Sequence, residues 1–130
     1  MTTTGAPHLV PPASECALRA HIEARQLDRL RTLLGAVHGP NRFYTRKLDD
    51  AGVSAQTLRT TDDLRLLPLT SKQELAADQD GTPPWGTAHT EPLDHYTRYH
   101  QTSSTTGHPL RWLDTNDSWQ WVIHCWATVF

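Results

Sequence analysis

The 130-residue chain is poor in the features that mark the common specialised classes. Its two cysteines, Cys16 and Cys125, stand near opposite ends with no neighbouring Cys, which excludes a disulfide framework and the paired-cysteine zinc and redox motifs. There is no basic excess: 12 Lys+Arg stand against 14 Asp+Glu, a formal net charge of -2, which argues against a general nucleic-acid binder. There is no long apolar run either. The uncharged stretch Ser118–Phe130 falls well short of the roughly 20 residues that span a bilayer. Met1–Pro12 has neither the positive n-region nor the apolar h-region of a targeting segment. These absences point to a cytoplasmic protein with reduced thiols that binds neither nucleic acid nor membrane. The length admits one small domain or a piece of a larger one.

What is present is first a series of short helices. From Ala13 to Gly39 the residues Leu18, Ile22, Leu27, Leu30, Leu34 and Val37 recur mostly at three- and four-residue gaps, the period of one helix face. Ser14 can cap the start, and Gly39-Pro40 supplies the stop. The charged face, with Arg19, Glu23, Arg25, Asp28, Arg29 and Arg31, reads as solvated. Asn41 caps a second helix over Arg42–Ala51, which Gly52 ends. Thr61–Leu67 predicts one or two further turns. Thr70 with Gln73, and Ser71 with Glu74, give two overlapping capping boxes for a helix running to Gly81.

The composition changes at Gly81, where a Pro/Gly-rich linker begins. Arg98–Thr102 and Leu110–Leu113 read as two strands joined by a loop, and Asp114 or Thr115 caps a last helix. That helix carries Trp119, Val122, Ile123, Trp126 and Phe130 on one face and Trp121, Cys125 and Val129 on another, so it is expected to be buried between layers. No stop signal follows it, which predicts a truncated chain. The division expected is a tail over 1–12, a helical lead-in over 13–80, a linker over 81–96 and the start of an incomplete α/β core over 97–130.

Chemistry concentrates at Thr102-Ser103-Ser104-Thr105-Thr106-Gly107-His108-Pro109. Consecutive hydroxyl side chains and the N–H groups of a Gly-containing loop can converge on an anion, and phosphate is the natural candidate. Composition alone is weak, because such loops are usually solvated turns. Other patterns fail. Gly81–Gly86 has Walker-A spacing, but Thr87-Ala88 follows where Lys and Ser/Thr are required. His89, His95, His100 and His108 match no common zinc spacing. His124 and Cys125, with Ser118, do not read as a nucleophilic arrangement, because adjacent residues on a helix point in different directions and His124 lies in an apolar run. Asp49-Asp50 and Asp62-Asp63 fall at helix ends, where capping and turn roles suffice.

With its flanks, Tyr99 to Leu110 resembles the phosphate-binding loop of adenylate-forming enzymes, whose usual pattern is hydroxyl-Ser-Gly-Thr-Thr-Gly-Lys-Pro. Asn41-Arg42-Phe43-Tyr44-Thr45-Arg46-Lys47-Leu48 with Ala51-Gly52-Val53, then Leu64 and Leu67-Pro68-Leu69-Thr70-Ser71-Lys72, resembles the N-terminal lead-in of the phenylacetate–CoA ligase branch. The resemblance runs from about residue 27 to the end and corresponds to the beginning of a much longer enzyme. It implies an α/β parent that uses ATP, Mg2+ and coenzyme A to convert a small carboxylic acid to its acyl-CoA through an acyl-adenylate. It also implies that the missing C-terminal part of the chain carries the catalytic residues. Thr102, Ser103, Ser104, Thr105, Thr106, Gly107 and His108 would hold the β- and γ-phosphates. Two positions depart from the pattern. Ser104 stands where Gly is usual, at a steric cost if the backbone needs positive φ. His108 replaces Lys and is only partly charged near neutral pH. Two alternatives stay open: a non-enzymatic helical module docking through Trp119, Trp121 and Trp126, and the remnant of a decayed ligase gene.

Overall fold

The computed structural model of the chain describes residues 19–103 and 109–129. Among the described residues four α-helices and one two-stranded antiparallel sheet follow in the order α1 (Arg19–Val37), α2 (Arg42–Asp50), α3 (Lys72–Gly81), β1 (Tyr96–Gln101), β2 (Arg111–Thr115) and α4 (Asn116–Val129). Short 3-10 turns at Thr61–Leu66 and Leu93–His95 punctuate the connections. The expected sequence of short helices, hairpin and final helix is therefore the one observed. The proposed cap Ser14 lies outside the described residues.

Local chemistry explains most boundaries. Gly39, φ +98°, and Gly52, φ +65°, take the left-handed conformation that ends α1 and leads out of α2. Asn41 is buried and satisfied at both ends: its Oδ1 accepts the Tyr44 N–H at 3.1 Å, and its Nδ2 donates to Thr90 Oγ1 at 3.2 Å. Of the two overlapping capping boxes the second forms. Ser71 Oγ accepts the Glu74 N–H at 3.2 Å, and Glu74 Oε2 accepts the Ser71 N–H at 2.7 Å. Asp63 accepts the Arg59 and Thr60 N–H groups at 2.7 and 2.8 Å, as expected for a capping role, and these bonds lower its pKa.

Two small apolar clusters hold the chain together. Leu34, Leu48, Val53 and Leu58 form one, with Leu27, Leu30 and Leu67 packed against it. Phe43, Leu75 and Leu110 form the other, backed by Tyr44, Ala76 and Ala88. α2 contributes Leu48 to the first and Phe43 to the second, so it bridges them. The charged face of α1 is not wholly solvated as expected. Arg31 reaches across to donate from Nε and Nη2 to the Leu58 carbonyl at 2.9 and 2.7 Å, satisfying a backbone acceptor at the core edge.

The sheet pairs Tyr99 with Leu113, His100 with Trp112 and Gln101 with Arg111, with an irregularity between Tyr96 and Arg98. β1 begins two residues before the expected Arg98. Thr115, one of the two proposed caps, accepts the Ser118 N–H at 3.1 Å and opens α4. The expected burial of α4 is not realised. None of its residues is buried, and Trp121 and Trp126 are 59% and 68% exposed. Its main contacts lie with β1 and β2, so only one layer is available to cover a helix that is apolar on two sides.

Two measurements follow from the α3 start. Ser71→Ala should lower stability by about 1 kcal/mol in chemical denaturation, since it removes the side-chain acceptor of an N-terminal N–H. Lys47 donates to Glu74, and with the Ser71 bonds this lowers the Glu74 pKa to about 2 from 4.5. A depressed carboxylate pKa contributes stability that is fully present above the unfolded value and is lost as pH falls toward the folded one. Between about pH 4.5 and 2 the wild-type melting temperature should therefore fall more steeply than that of Glu74→Gln.

Candidate functional site

In the sequence the hydroxyl-rich segment falls between β1 and β2. Ser104, Thr105, Thr106, Gly107 and His108 lie outside the described residues; Thr102, Ser103, Pro109 and Leu110 define the base from which they depart. Thr102 and Leu110 close that base reciprocally. The Thr102 N–H donates to the Leu110 carbonyl at 2.9 Å, and the Leu110 N–H donates to Thr102 Oγ1 at 3.0 Å. Thr102 thus spends its hydroxyl acceptor on the hairpin, which leaves its O–H proton for a ligand. Ser103 is exposed. Leu110 is 4% exposed and inserts between Phe43 of α2 and Leu75 of α3, so a core contact fixes one end of the segment.

α3 holds the other surroundings of the hairpin. Gln79 Nε2 donates to the Arg111 carbonyl at 2.7 Å, and Gln79 Oε1 accepts the Arg111 N–H at 3.1 Å. Beside it, Asp78 accepts the Thr87 N–H and Oγ1–H, both at 2.6 Å. The Arg111 guanidinium donates to the Pro84 carbonyl at 3.1 Å and to Gln101 Oε1 at 3.4 Å. Gly86, φ +73°, approaches so closely that a Cβ there would lie 2.3 Å from Asp78 Oδ2.

On the opposite side, Arg98 lies 5.0 Å from the Trp119 ring and His100 stacks on the same indole at 5.0 Å. His100 Nε2 also lies 3.3 Å from Asp114 Oδ2, and Ser118 donates to Asp114 Oδ1 at 2.8 Å. This cluster ties the first turn of α4 to the sheet. Apart from the local Ser118–Asp114 bond, sequence periodicity gives no sign of these contacts, nor of those of Gln79 and Arg31, because they join residues distant in the chain.

The remaining candidates take structural places. His89 faces the Glu91 carbonyl, and His95 faces the Glu91 carboxylate. Among the described residues no group of three or more His, Cys, Asp or Glu is arranged to hold a metal ion. His124 is half-buried against Trp121, with ring centroids 5.5 Å apart, and Cys125 is exposed. Trp85 packs edge-on to Tyr99 at 5.6 Å. A groove of about 630 Å³ between α2 and α3 is lined by Arg42, Arg46 and Lys47, but its carboxylates, Glu74 and Asp78, are already engaged. Among the described residues no helix is long and apolar enough to cross a membrane.

No family model matches the chain. It is 35% identical over 98 residues to the phenylacetate-coenzyme A ligase of Thermus thermophilus, covering 75% of this chain and 21% of that protein. The same identity extends over 95 residues of the Escherichia coli phenylacetate-coenzyme A ligase, 73% of this chain and again 21% of the relative. The chain therefore spans about a fifth of the length of these curated relatives. Among solved structures, 2-hydroxyisobutyryl-CoA ligase in complex with 2-HIB-AMP and CoA, in its thioesterification state, superimposes with a TM-score of 0.76 at 25% identity. That match covers 89% of this chain and 26% of the ligase. The open conformation of the same enzyme matches in fold with a TM-score of 0.70 over 78% of this chain. By sequence this chain is a relative of the phenylacetate-coenzyme A ligases over about three-quarters of its length, and its fold matches part of a CoA-ligase fold.

Proposed function

We propose that the chain supplies the triphosphate-holding segment of an ATP-dependent acid–CoA ligase. The observation that carries this reading is the superposition on a ligase in complex with 2-HIB-AMP and CoA, taken with the motif-like run Thr102 to His108, which falls between β1 and β2 in the sequence. In the reaction proposed, a substrate carboxylate oxygen attacks the α-phosphorus of ATP. An acyl-adenylate forms and pyrophosphate leaves. The coenzyme A thiol then attacks the acyl carbon, loses its proton, and releases AMP. Thr102, Ser103, Ser104, Thr105, Thr106, Gly107 and His108 donate to the β- and γ-phosphates, positioning them and stabilising the charge that builds on the departing pyrophosphate. Hydrogen bonds to a charged group contribute about 1.5–3 kcal/mol each, so three or four suffice without a dominant cation.

Mg2+ would accompany ATP in this chemistry. Among the described residues no cluster of His, Cys, Asp or Glu is present to cage it. The acid, adenine and coenzyme A sites belong, in this reading, to the part of a ligase beyond the fifth that this chain spans. That part also covers α4, and its exposed Trp121 and Trp126 are the surface it would meet. The same exposure favours a second reading, a module that docks on another protein through α4. A cytoplasmic location accords with the use of ATP and coenzyme A.

The loop is tested by transplanting residues 99–110 in place of the corresponding loop of the Thermus thermophilus ligase and following ATP–pyrophosphate exchange. The transplant should be active, and Thr106→Val within it should lower exchange by roughly tenfold, the loss of one charge-assisted hydrogen bond. Unchanged exchange would remove the loop from the mechanism. His108→Lys should improve apparent ATP affinity, most above neutral pH, where the imidazole is neutral. The chain by itself should self-associate in light scattering, and Trp126→Glu should reduce this; a monomer with strongly protected α4 amides would favour the module.

A further inference from the structure

We propose that the groove between α2 and α3 binds a small molecule through a phosphate group, held by the guanidinium groups of Arg42 and Arg46. None of the lining residues belongs to the run Thr102 to His108, so the site stands or falls independently of the triphosphate reading.

The charges that line the groove select the ligand. Arg42, Arg46 and Lys47 face it from α2, and Glu74 and Asp78 face it from α3. Lys47, with its side chain 12% exposed, is already occupied: its ammonium donates to the Leu69 carbonyl at 2.7 Å and to Glu74. Glu74 is occupied by the same contact and by the Ser71 N–H at 2.7 Å. Both Asp78 oxygens are held by Thr87, Oδ2 by its N–H and Oδ1 by its hydroxyl, each at 2.6 Å. By contrast, no side-chain hydrogen bond or ion pair joins Arg42 or Arg46 to another described residue, and both are exposed. The uncommitted charge of the groove is therefore that of two guanidinium groups.

Their spacing suits one anion. Arg42 and Arg46 stand four residues apart on the same face of α2, which puts their Cβ atoms about 5–6 Å apart. Two planar forks at that separation can close on a single tetrahedral group from two sides, each offering parallel N–H donors. A phosphomonoester carries a charge of about −1.5 to −2 near neutral pH and three free oxygens, so it matches both guanidinium groups in charge and in acceptors. A carboxylate satisfies one fork and leaves the other without a counter-charge. The start of α2 adds no donor of its own, because the Phe43 N–H goes to the Thr87 carbonyl and the Tyr44 N–H to Asn41.

The two arginines sit on a fixed element. The other side of α2 places Phe43 and Leu48, 2% and 4% exposed, in the two core clusters, and the Lys47–Glu74 contact ties α2 to α3 across the groove. At about 630 Å³ the groove falls within the range of about 300–1,000 Å³ typical of small-molecule sites, and is much larger than phosphate alone. Phosphate is therefore the head of a larger ligand, whose body has room along Ala77 and Thr82 at the end of α3.

The test titrates the isotope-labelled 130-residue chain with inorganic phosphate and, separately, with acetate at constant ionic strength, following the amide signals of residues 42–48 and 77–82 by NMR. Saturable shifts in both sets are expected with phosphate, and a weaker response with acetate. Arg42→Gln and Arg46→Gln should each weaken phosphate binding about tenfold, the loss of charge-assisted hydrogen bonds, and leave the melting temperature unchanged because both side chains are exposed. Arg46→Lys keeps the charge but loses the fork, and should be intermediate. Arg25→Gln makes the same change of net charge on the exposed side of α1 and should leave phosphate affinity as it was. Absence of saturable shifts would overturn the site, as would acetate binding as tightly as phosphate. An equal loss in Arg25→Gln would also overturn it, by reducing the response to a general charge effect. Shifts confined to residues 102–110 would remove the groove and support the triphosphate reading instead.

Discussion

The insertion of Leu110 between Phe43 and Leu75 is the contact on which the arrangement of the chain depends, because it is where the helical lead-in and the hairpin share a core. Burying a leucine side chain contributes roughly 1.5–3 kcal/mol, a large share of what a small domain has to spend on holding two subregions together. The consequence is positional as much as energetic. Leu110 adjoins the hydroxyl-rich turn and Arg111 opens β2, so the core contact that joins the subregions also places the base of the candidate phosphate site.

Around that contact the polar groups are distributed so that α3 acts as a platform. Its start is locked by the Ser71–Glu74 box and the Lys47 ion pair, and its end offers Asp78 to Thr87 and Gln79 to Arg111. Consecutive side chains at 78 and 79 leave a helix about 100° apart, which lets one short helix engage the linker on one side and the hairpin on the other. Among the described residues no buried side-chain nitrogen or oxygen lacks a hydrogen-bond partner, so the platform carries no unsatisfied polar group.

The sequence was legible where the determining interactions are local. Asn41 before α2, the Ser71–Glu74 box before α3 and Thr115 before α4 each act within three residues, and each was found where the pattern placed it. The expected Thr70–Gln73 box did not form because Ser71 and Glu74 took the helix start. Arg31 and Gln79 were not legible, since their partners lie 27 and 32 residues away and no periodicity encodes such a meeting. The amphipathic reading of α4 identified its apolar faces correctly but not their burial, because burial on two sides requires a second layer that the described residues do not provide. The candidate site was legible only as a motif. Its hydroxyl composition admits a plain turn as well as the phosphate contact proposed above, and no periodicity separates the two.

Gly86 shows how little tolerance this arrangement has at one point. A single added methyl there would strike the Asp78 carboxylate, which is tied by two short bonds to Thr87, the next residue in the chain. The Thr87 carbonyl in turn receives the Phe43 N–H at the start of α2. The disturbance would therefore pass through one carboxylate and one peptide group into the core, and position 86 behaves as a keyhole that admits a hydrogen atom and nothing larger.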